Sequence, residues 1–324
     1  LAGFFVSGVY KVTDWKPAAD IAMLQKRAAM LGSIRKFFTA RDVMEVDVPV
    51  MASATVTDPN IESFTVSFPS DGPSKYYLMT SPEFYMKRLL VVGCGSIYYL
   101  GRAFRAEESG SRHSLEFTML EWYRPQWNML QLMDEVSALI AEFLSGDVSR
   151  TTYRQVFLDN LGIDPHTASV TALKTLAHEK LSPAFGSDDK GVWLDLLFSH
   201  LVEPQLQGKV FVEQFPAAQA ALAKTFIDEY GNKVAARFEL YINGVEIANG
   251  YQEELDAEVL RARFLANLDM RKSRDQVLPA IDEKFLAAMS AGMPVCAGVA
   301  LGVDRLLMAI SGEKNIAAVL PFAD

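Results

Sequence analysis

Residues 104–117, FRAEESGSRHSLEF, bring Arg105, Glu107, Glu108, Arg112, His113 and Glu116 into one loop between two stretches that read as strands, 97–105 and 116–124. Charge at that density is either the solvated tip of a hairpin or a clamp for a polyanion such as ATP. The flanking strands bear on the choice, because side chains alternate between the two faces of a strand. On the returning strand Phe117, Met119, Glu121 and Tyr123 fall on one face. A strand packed on a core shows an apolar stripe there. An aromatic ring, a carboxylate and a phenol in succession fit the floor of a pocket, with a solvated sheet face as the plain competitor.

Two further segments carry chemistry. In ARFELYINGVEIANGYQEE (236–254), Asn243-Gly244 signals a two-residue hairpin turn. That turn pairs 242 with 245, 241 with 246 and 239 with 248, which sets Glu239 and Glu246 on the same face. Like charges so close repel unless a cation lies between them. Mg²⁺, held by one or two carboxylates plus substrate phosphates, suits that place, and two glutamates splayed into solvent are the alternative. In AGVALGVDRLLM (297–308), Gly298, Ala300 and Gly302 alternate with Val299, Leu301 and Val303. One strand face is nearly bare, which marks close approach of a ligand or of another backbone. Arg305 follows where a helix should begin, within reach of that face.

The elements that must position these residues read as follows. Asp20 caps a helix with Ile21, Leu24, Ala28, Leu31, Ile34 and Phe38 at helical spacing. VMEVDVPVM (43–51) is a short strand interrupted by Pro49, hence an edge or interface strand. Ser81 as N-cap and Pro82 as first residue start a second helix that ends at Gly93. Helical patterns cover 129–145 and 151–161, and 162–210 is mixed, an insertion or helical subdomain. A strand pair at 234–249 and a long helical segment at 254–290 lead to the last strand–helix unit. Strands grouped with helices, without regular βα alternation, predict an α+β domain on an antiparallel sheet. The expected organisation is an N-terminal extension at 1–19 and a single domain at 20–324, with the helical insertion around 145–210.

Composition narrows the function. The 324 residues are 50% hydrophobic and 22% charged, with a net charge of −9, which disfavours a nucleic-acid partner. Cys94 and Cys296 lie far apart and suit reduced thiols of a cytoplasmic protein. The four histidines are too scattered for zinc. The opening LAGFFVSGVYKV makes a poor signal peptide, and no apolar run predicts a membrane span. No P-loop, G-x-G-x-x-G, nucleophile elbow or H-E-x-x-H is present, so ATP would need another architecture.

Taken in order, three stretches of the chain resemble the three motifs of class II aminoacyl-tRNA synthetases. The helix at 20–38 with the Pro49 strand is similar to motif 1, the dimer-forming element. FRAE…EF is similar to motif 2, and the Gly-Ala-Gly strand ending in Asp304-Arg305 to motif 3. TSPEFYMKRLL (80–90), EFTMLEWY (116–123) and FELYINGVEIANGYQE (238–253) resemble the lysyl branch across most of residues 20–310. The helix that starts by residue 20 leaves no room here for an anticodon-reading OB-fold. A catalytic core of this size with GCG at 93–95 and LEWYRP at 120–125 looks like the freestanding lysyl paralogues that attach (R)-β-lysine to elongation factor P.

The resemblance implies roles. Arg105 would hold the α-phosphate and Glu107 the adenine amino group, with adenine between Phe117 and Arg305. His113 and Ser114 would approach the nucleotide, as would Ile247 and Gly302, and Glu239 and Glu246 would hold Mg²⁺. Ser81, Pro82, Glu83, Tyr123, Glu253 and Ala300 would line the amino-acid site. ATP would be the co-substrate, elongation factor P the acceptor, a homodimer the assembly and the cytoplasm the location. Three departures stand out: Ala106 and Ser114 where asparagine is usual, and Ala221 where serine is usual. Ala300, where lysyl-tRNA synthetases usually carry glycine, favours β-lysine over α-lysine, since a methyl-sized difference is worth ~1–3 kcal/mol. The competing expectations are a minimal enzyme charging tRNA and an inactive paralogue that only binds ligand.

Overall fold

A computed structural model of the chain describes residues 15–67, 75–106 and 109–323. Most of the 1–19 extension, and Glu107 and Glu108, lie outside the described residues. Helix α1 (Ile21–Thr39) starts where Asp20 accepts the Met23 amide at 2.8 Å. Its buried stripe is Arg27, Met30, Ile34, Phe37 and Phe38, whereas Ile21 is exposed. The expected stripe was displaced because an arginine occupies a core-facing position, which an apolar periodicity passes over. Pro49 divides 43–51 into two short strands, β1 (Met44–Glu45) and β2 (Met51–Ala52). Strands β3 (Thr65–Ser67) and β4 (Lys75–Leu78) join β2 in a small three-stranded sheet.

Helix α2 (Glu83–Val91) begins one residue later than expected: Pro82 holds the cap position, and Ser81 Oγ accepts the Glu83 amide at 3.3 Å. Gly93, at φ 88°, turns the chain out of the helix. Strands β5 (Ile97–Phe104) and β6 (Glu116–Pro125) follow, then α3 (Met129–Ala141), which a capping box of Asn128 and Gln131 starts. Residues 145–210 hold β7 (Ser149–Thr152), α4 (Tyr153–Leu161), α5 (Val170–Leu181) and α6 (Lys190–Leu197), and end at β8 (Lys209–Glu213). A two-stranded ribbon, β9 (Thr225–Ile227) and β10 (Lys233–Ala235), precedes the hairpin of β11 (Arg237–Ile242) and β12 (Glu246–Gln252). The long helical segment expected at 254–290 is instead two helices, α7 (Ala257–Ser273) and α8 (Glu283–Gly292). Asp275 at φ 54° and Pro279 break it. Strand β13 (Cys296–Gly302) and helix α9 (Val303–Ser311) close the order.

The main sheet has eight strands in the order β1-β5-β6-β13-β12-β11-β8-β7. Its interior pairings are antiparallel, as expected, but both edge strands, β1 on β5 and β7 on β8, pair in parallel. One face carries Leu120, Trp122, Phe238, Leu240, Val299 and Leu301 into a core shared with α1, α3 and α9. The opposite face is flanked at one end by an apolar cluster of α4, α5 and α6, and at the other by a cluster of α2, α7 and α8. The floor between those two clusters is open to ligand.

Candidate active site

The floor is built by strand register. Asn243 and Gly244 turn at φ 49° and 70°, the left-handed pair that the two-residue hairpin requires. Tyr241 pairs with Glu246 as expected, but Glu239 faces Asn249 rather than residue 248, because a β-bulge interrupts the ladder after Leu240. The bulge turns Ile247 and Ala248 both into the core and moves Asn249, Tyr251 and Glu253 onto the face that holds Glu246. One cross-strand row then reads Tyr99, Glu121, Ala300, Asn249 and Glu239 over five strands. The adjacent row reads Ile97, Tyr123, Gly298, Tyr251 and Arg237. Ala300 therefore pairs directly with the buried Glu121 and lies two strands from the buried Glu239.

A cavity of about 810 Å³ stands on this floor, and Ser81, Glu83, Arg105, His113, Ser114, Phe117, Glu121, Tyr123, Glu239, Glu246, Ile247, Glu253, Ala300, Gly302 and Arg305 all line it. Every described site residue predicted from sequence reaches it except Pro82, which only starts α2.

One end of the cavity is cationic. Arg305, in the first turn of α9, donates to the Arg112 carbonyl at 3.3 Å and to the Glu246 carbonyl at 3.1 Å. Its guanidinium lies 3.3 Å from Glu246 Oε2 and 2.6 Å from His113 Nε2. Its aliphatic stem covers Gly302, where a Cβ would meet Arg305 Cδ at 3.7 Å. Arg105 lies with its guanidinium 5.3 Å over the Phe117 ring. Arg112 donates to the Gly244 carbonyl at 3.1 Å, which ties the charged loop to the hairpin turn.

The orientation of Arg305 is fixed from below. The neighbouring Asp304 is 1% exposed and takes Arg27 Nη1 at 2.6 Å on one oxygen and the Thr118 amide at 2.7 Å on the other. Arg27 also donates to Thr118 Oγ1 at 2.6 Å. A single buried ion pair thus joins α1, β6 and α9. Sequence reading missed Arg27, since a lone arginine in a helical repeat carries no spacing signal.

The other end is acidic. Glu121 accepts from the Tyr123 hydroxyl at 2.7 Å, and burial, reinforced by the Glu83 carboxylate, pushes its pKa up to about 8. Burial likewise raises Glu253 to about 7, with Lys87 opposing the shift. The Lys87 ammonium is 2.6 Å from Glu83 Oε1 and 2.6 Å from Glu253 Oε2. Burial alone would pull Lys87 down, and the Glu253 and Glu83 carboxylates more than reverse that, so it stays charged. Glu253 Oε1 is buried and meets no donor among the described residues. Gly298 makes room for it: a Cβ there would lie 2.3 Å from Tyr123 Cε1 and 2.5 Å from Glu253 Oε1. Lys87 and Asn249 were also missed from sequence. The first is visible as an i,i+4 partner of Glu83, whereas the second needed the bulge.

The two glutamates expected to hold a metal do share a face. Glu239 is buried and accepts from Arg237, Tyr241 and Asn249, and burial raises its pKa. Glu246 is partly exposed and paired with Arg305. Among the described residues no three metal-ligating side chains converge. Two carboxylates at the cationic end fit a hard divalent ion only if phosphate oxygens supply further ligands. No helix among the described residues is long and apolar enough to cross a membrane.

Known proteins are similar in sequence along nearly the whole chain. The family model of class II tRNA synthetases (D, K and N) matches residues 9–324. The elongation factor P–(R)-β-lysine ligase of Proteus mirabilis (strain HI4320) is 45% identical over 320 residues, 96% of this chain and 98% of that protein. The ligases so named from Edwardsiella ictaluri (strain 93-146) and Salmonella typhi are 45% and 43% identical, each over 96% of this chain and 98% of their own length. An eight-stranded, mostly antiparallel sheet with a cationic and an acidic end on one face belongs with these sequences, and the chain is a member of the class II tRNA-synthetase family (D, K and N), in the branch that the elongation factor P–(R)-β-lysine ligases occupy.

Proposed function

We propose that this chain activates (R)-β-lysine with ATP as an aminoacyl adenylate and transfers it to a lysine ε-amine of elongation factor P. The observation that carries this reading is the division of one cavity into a cationic end, with Arg105, His113 and Arg305, and an acidic end, with Glu83, Glu121 and Glu253. A triphosphate requires the first and a diamino acid the second. Adenine fits between Phe117 and Arg305, once Arg105 moves from the ring to the α-phosphate. The bare strip of Gly302 and Ala300 lets the nucleotide and the substrate carboxylate approach the sheet backbone.

In the first step a carboxylate oxygen of β-lysine attacks the α-phosphorus and pyrophosphate leaves. Arg105 stabilises the charge that grows on the α-phosphate oxygens. In the second step the neutral acceptor amine attacks the activated carbonyl, an amide forms and AMP departs. No enzyme nucleophile is needed, and the chain contributes positioning and electrostatics. Glu239 and Glu246 would hold Mg²⁺ together with the phosphates, where the ion would neutralise the triphosphate. Ser81 and Pro82 set the start of α2 and so aim Glu83. A homodimer through α1 and β1 belongs to the same reading, and the exposed apolar side chains of Met44, Val50 and Met51 support it.

ATP–pyrophosphate exchange with (R)-β-lysine and α-lysine in parallel, followed by mass measurement of elongation factor P, tests the proposal. Exchange preferring β-lysine, with a matching mass increase on the acceptor, is the expected result. Exchange retained in Arg105→Ala would remove Arg105 from the first step, and a preference for α-lysine would revive tRNA charging.

A further inference from the structure

The acidic end of the cavity contains a cation for which the two reaction steps have no use. Lys87 projects from α2 one turn beyond Glu83, its side chain is fully enclosed, and it bridges Glu83 and Glu253 at 2.6 Å on each side. Stability is a weak reason for such a bridge, because apolar residues often replace a buried ion pair at no loss. What the bridge does settle is which carboxylate atoms remain for a ligand. Lys87 hydrogen-bonds Oε1 of Glu83 and meets Oε2 of Glu253 as an ion pair outside hydrogen-bond geometry, whereas Oε1 of Glu253 stays buried with neither an ion pair nor a donor among the described residues. That oxygen lies beside Tyr123 over Gly298, on the floor of the cavity.

The charge count points the same way. Glu83 from α2, Glu121 from β6 and Glu253 beyond β12 provide three carboxylates, and Lys87 cancels one. Among the described residues, the other ionisable groups that face the cluster are Tyr99, Tyr123, Tyr251 and the Cys296 thiol, all held neutral by burial first, and beyond Tyr251 the Arg237–Glu239 ion pair, whose charges cancel. Two negative charges therefore remain for ligand when the carboxylates are ionised, the number that a substrate with two ammonium groups neutralises. A monoamine would leave one buried carboxylate uncompensated, which is costly.

We propose that Lys87 is a specificity-determining positioning residue: it pins Glu83 and Glu253 in place, and by cancelling one of the three carboxylates of the cluster it matches the pocket to a diamino acid. The inference rests on the proposed function for its choice of (R)-β-lysine as that diamine.

The test compares wild type, Lys87→Met and Lys87→Arg by titration calorimetry with (R)-β-lysine and by the KM and kcat of pyrophosphate exchange. Lys87→Met should weaken β-lysine binding and raise its KM at least tenfold, with KM for ATP within twofold and kcat within about threefold. Lys87→Arg, which keeps the charge, should recover most of the binding. The proposal is overturned if Lys87→Met binds β-lysine within twofold of wild type, or if it loses kcat at unchanged KM. Should Lys87→Met fail to fold, Lys87→Arg decides alone, and wild-type KM supports the role while a loss confined to kcat overturns it. Wild type that binds another diamino acid in place of β-lysine would correct the proposed function and leave the Lys87 comparison in force on that compound. Preference for a monoamino acid would overturn the inference itself.

Discussion

The acidic end of the cavity makes substrate affinity depend on pH, and the sign follows from its burial. Glu253 and Glu121 titrate near about 7 and about 8 in the free enzyme, both raised from 4.5. They interact with each other, so the pair rather than either residue sets the profile. At pH 6 protons occupy the sites that the substrate amines need. Binding must expel them, at about 1.4 kcal/mol, or tenfold, for each unit below the relevant pKa. Lys87 keeps its charge throughout and adds nothing to the slope. The KM of (R)-β-lysine should thus fall from pH 6 to pH 8 by roughly tenfold if one proton must leave and by up to several hundredfold if both must, and level off above, while the KM of ATP changes little. Pyrophosphate exchange at saturating ATP measures the profile, and calorimetry in buffers of different ionisation enthalpy counts the protons released. Stability runs the opposite way in the free enzyme. Between about pH 4.5 and 8 the folded chain holds protons that the unfolded chain has lost, so stability from these groups falls as pH rises. The thermal shift on adding β-lysine should then be larger at pH 8 than at pH 6. A KM flat between pH 6 and 8, or one that moves in parallel with the KM of ATP, would refute the assignment of these carboxylates to the amine site.

Gly298→Ala should raise the KM of β-lysine at least tenfold and spare ATP binding, because the new methyl would lie within 2.5 Å of both Tyr123 and Glu253; equal loss of both would indicate a collapsed sheet instead. Ala300→Gly should shift the ratio of α-lysine to β-lysine exchange towards α-lysine by roughly five- to a hundredfold, from the ~1–3 kcal/mol that a methyl is worth in such a pocket; an unchanged ratio removes Ala300 from selection. Arg27→Met should cost about 3–5 kcal/mol in urea unfolding, since it strands the buried Asp304 carboxylate, and should also lower exchange through Arg305. A destabilisation under 1 kcal/mol in that variant would show that Asp304 finds other partners.

Much of the site could be read from residue order, because alternation along a strand is rigid. Phe117, Met119, Glu121 and Tyr123 share the cavity face, and Gly298, Ala300 and Gly302 leave their row bare, as parity alone required. Asn243-Gly244 likewise announced its hairpin. Parity failed beyond Glu246, where one extra residue in β12 reverses the faces. Counted from Glu246 without that bulge, Glu253 points away from the site and Asn249 into the core. The bulge has no strong local signature: Ile247 and Ala248 are two adjacent apolar residues, which many strands contain. The helices were legible in existence more than in extent. Residues 254–290 lost their continuity to Pro279 and to Asp275, and the α1 stripe was misread because its first member is Arg27.

That misreading bears on how the fold and the chemistry depend on each other. An arginine is worth burying on a core-facing helix position only if its partners satisfy it there, and Arg27 donates to the Val319 carbonyl and to two side-chain partners, Asp304 and Thr118. Both partners are one residue from a proposed ligand contact, Arg305 in one case and Phe117 in the other. Asp304 further takes the Thr118 amide, so the start of β6 and the start of α9 cannot separate while the pair holds. The two walls proposed for adenine are therefore held at a fixed distance by a contact on the opposite side of the sheet. The same helix is the one expected at a dimer interface, so pressure on α1 from a second copy would reach Arg305 through a single buried ion pair. If the homodimer forms, weakening it should lower nucleotide affinity before it lowers affinity for β-lysine, because Glu83 and Lys87 project from α2, which packs in a different apolar cluster with α7 and α8, and Glu253 is tied to Lys87. Sedimentation at graded protein concentration, with ATP and β-lysine affinities taken at each, measures this, and affinities that fall together would show that α1 does not act through Arg27.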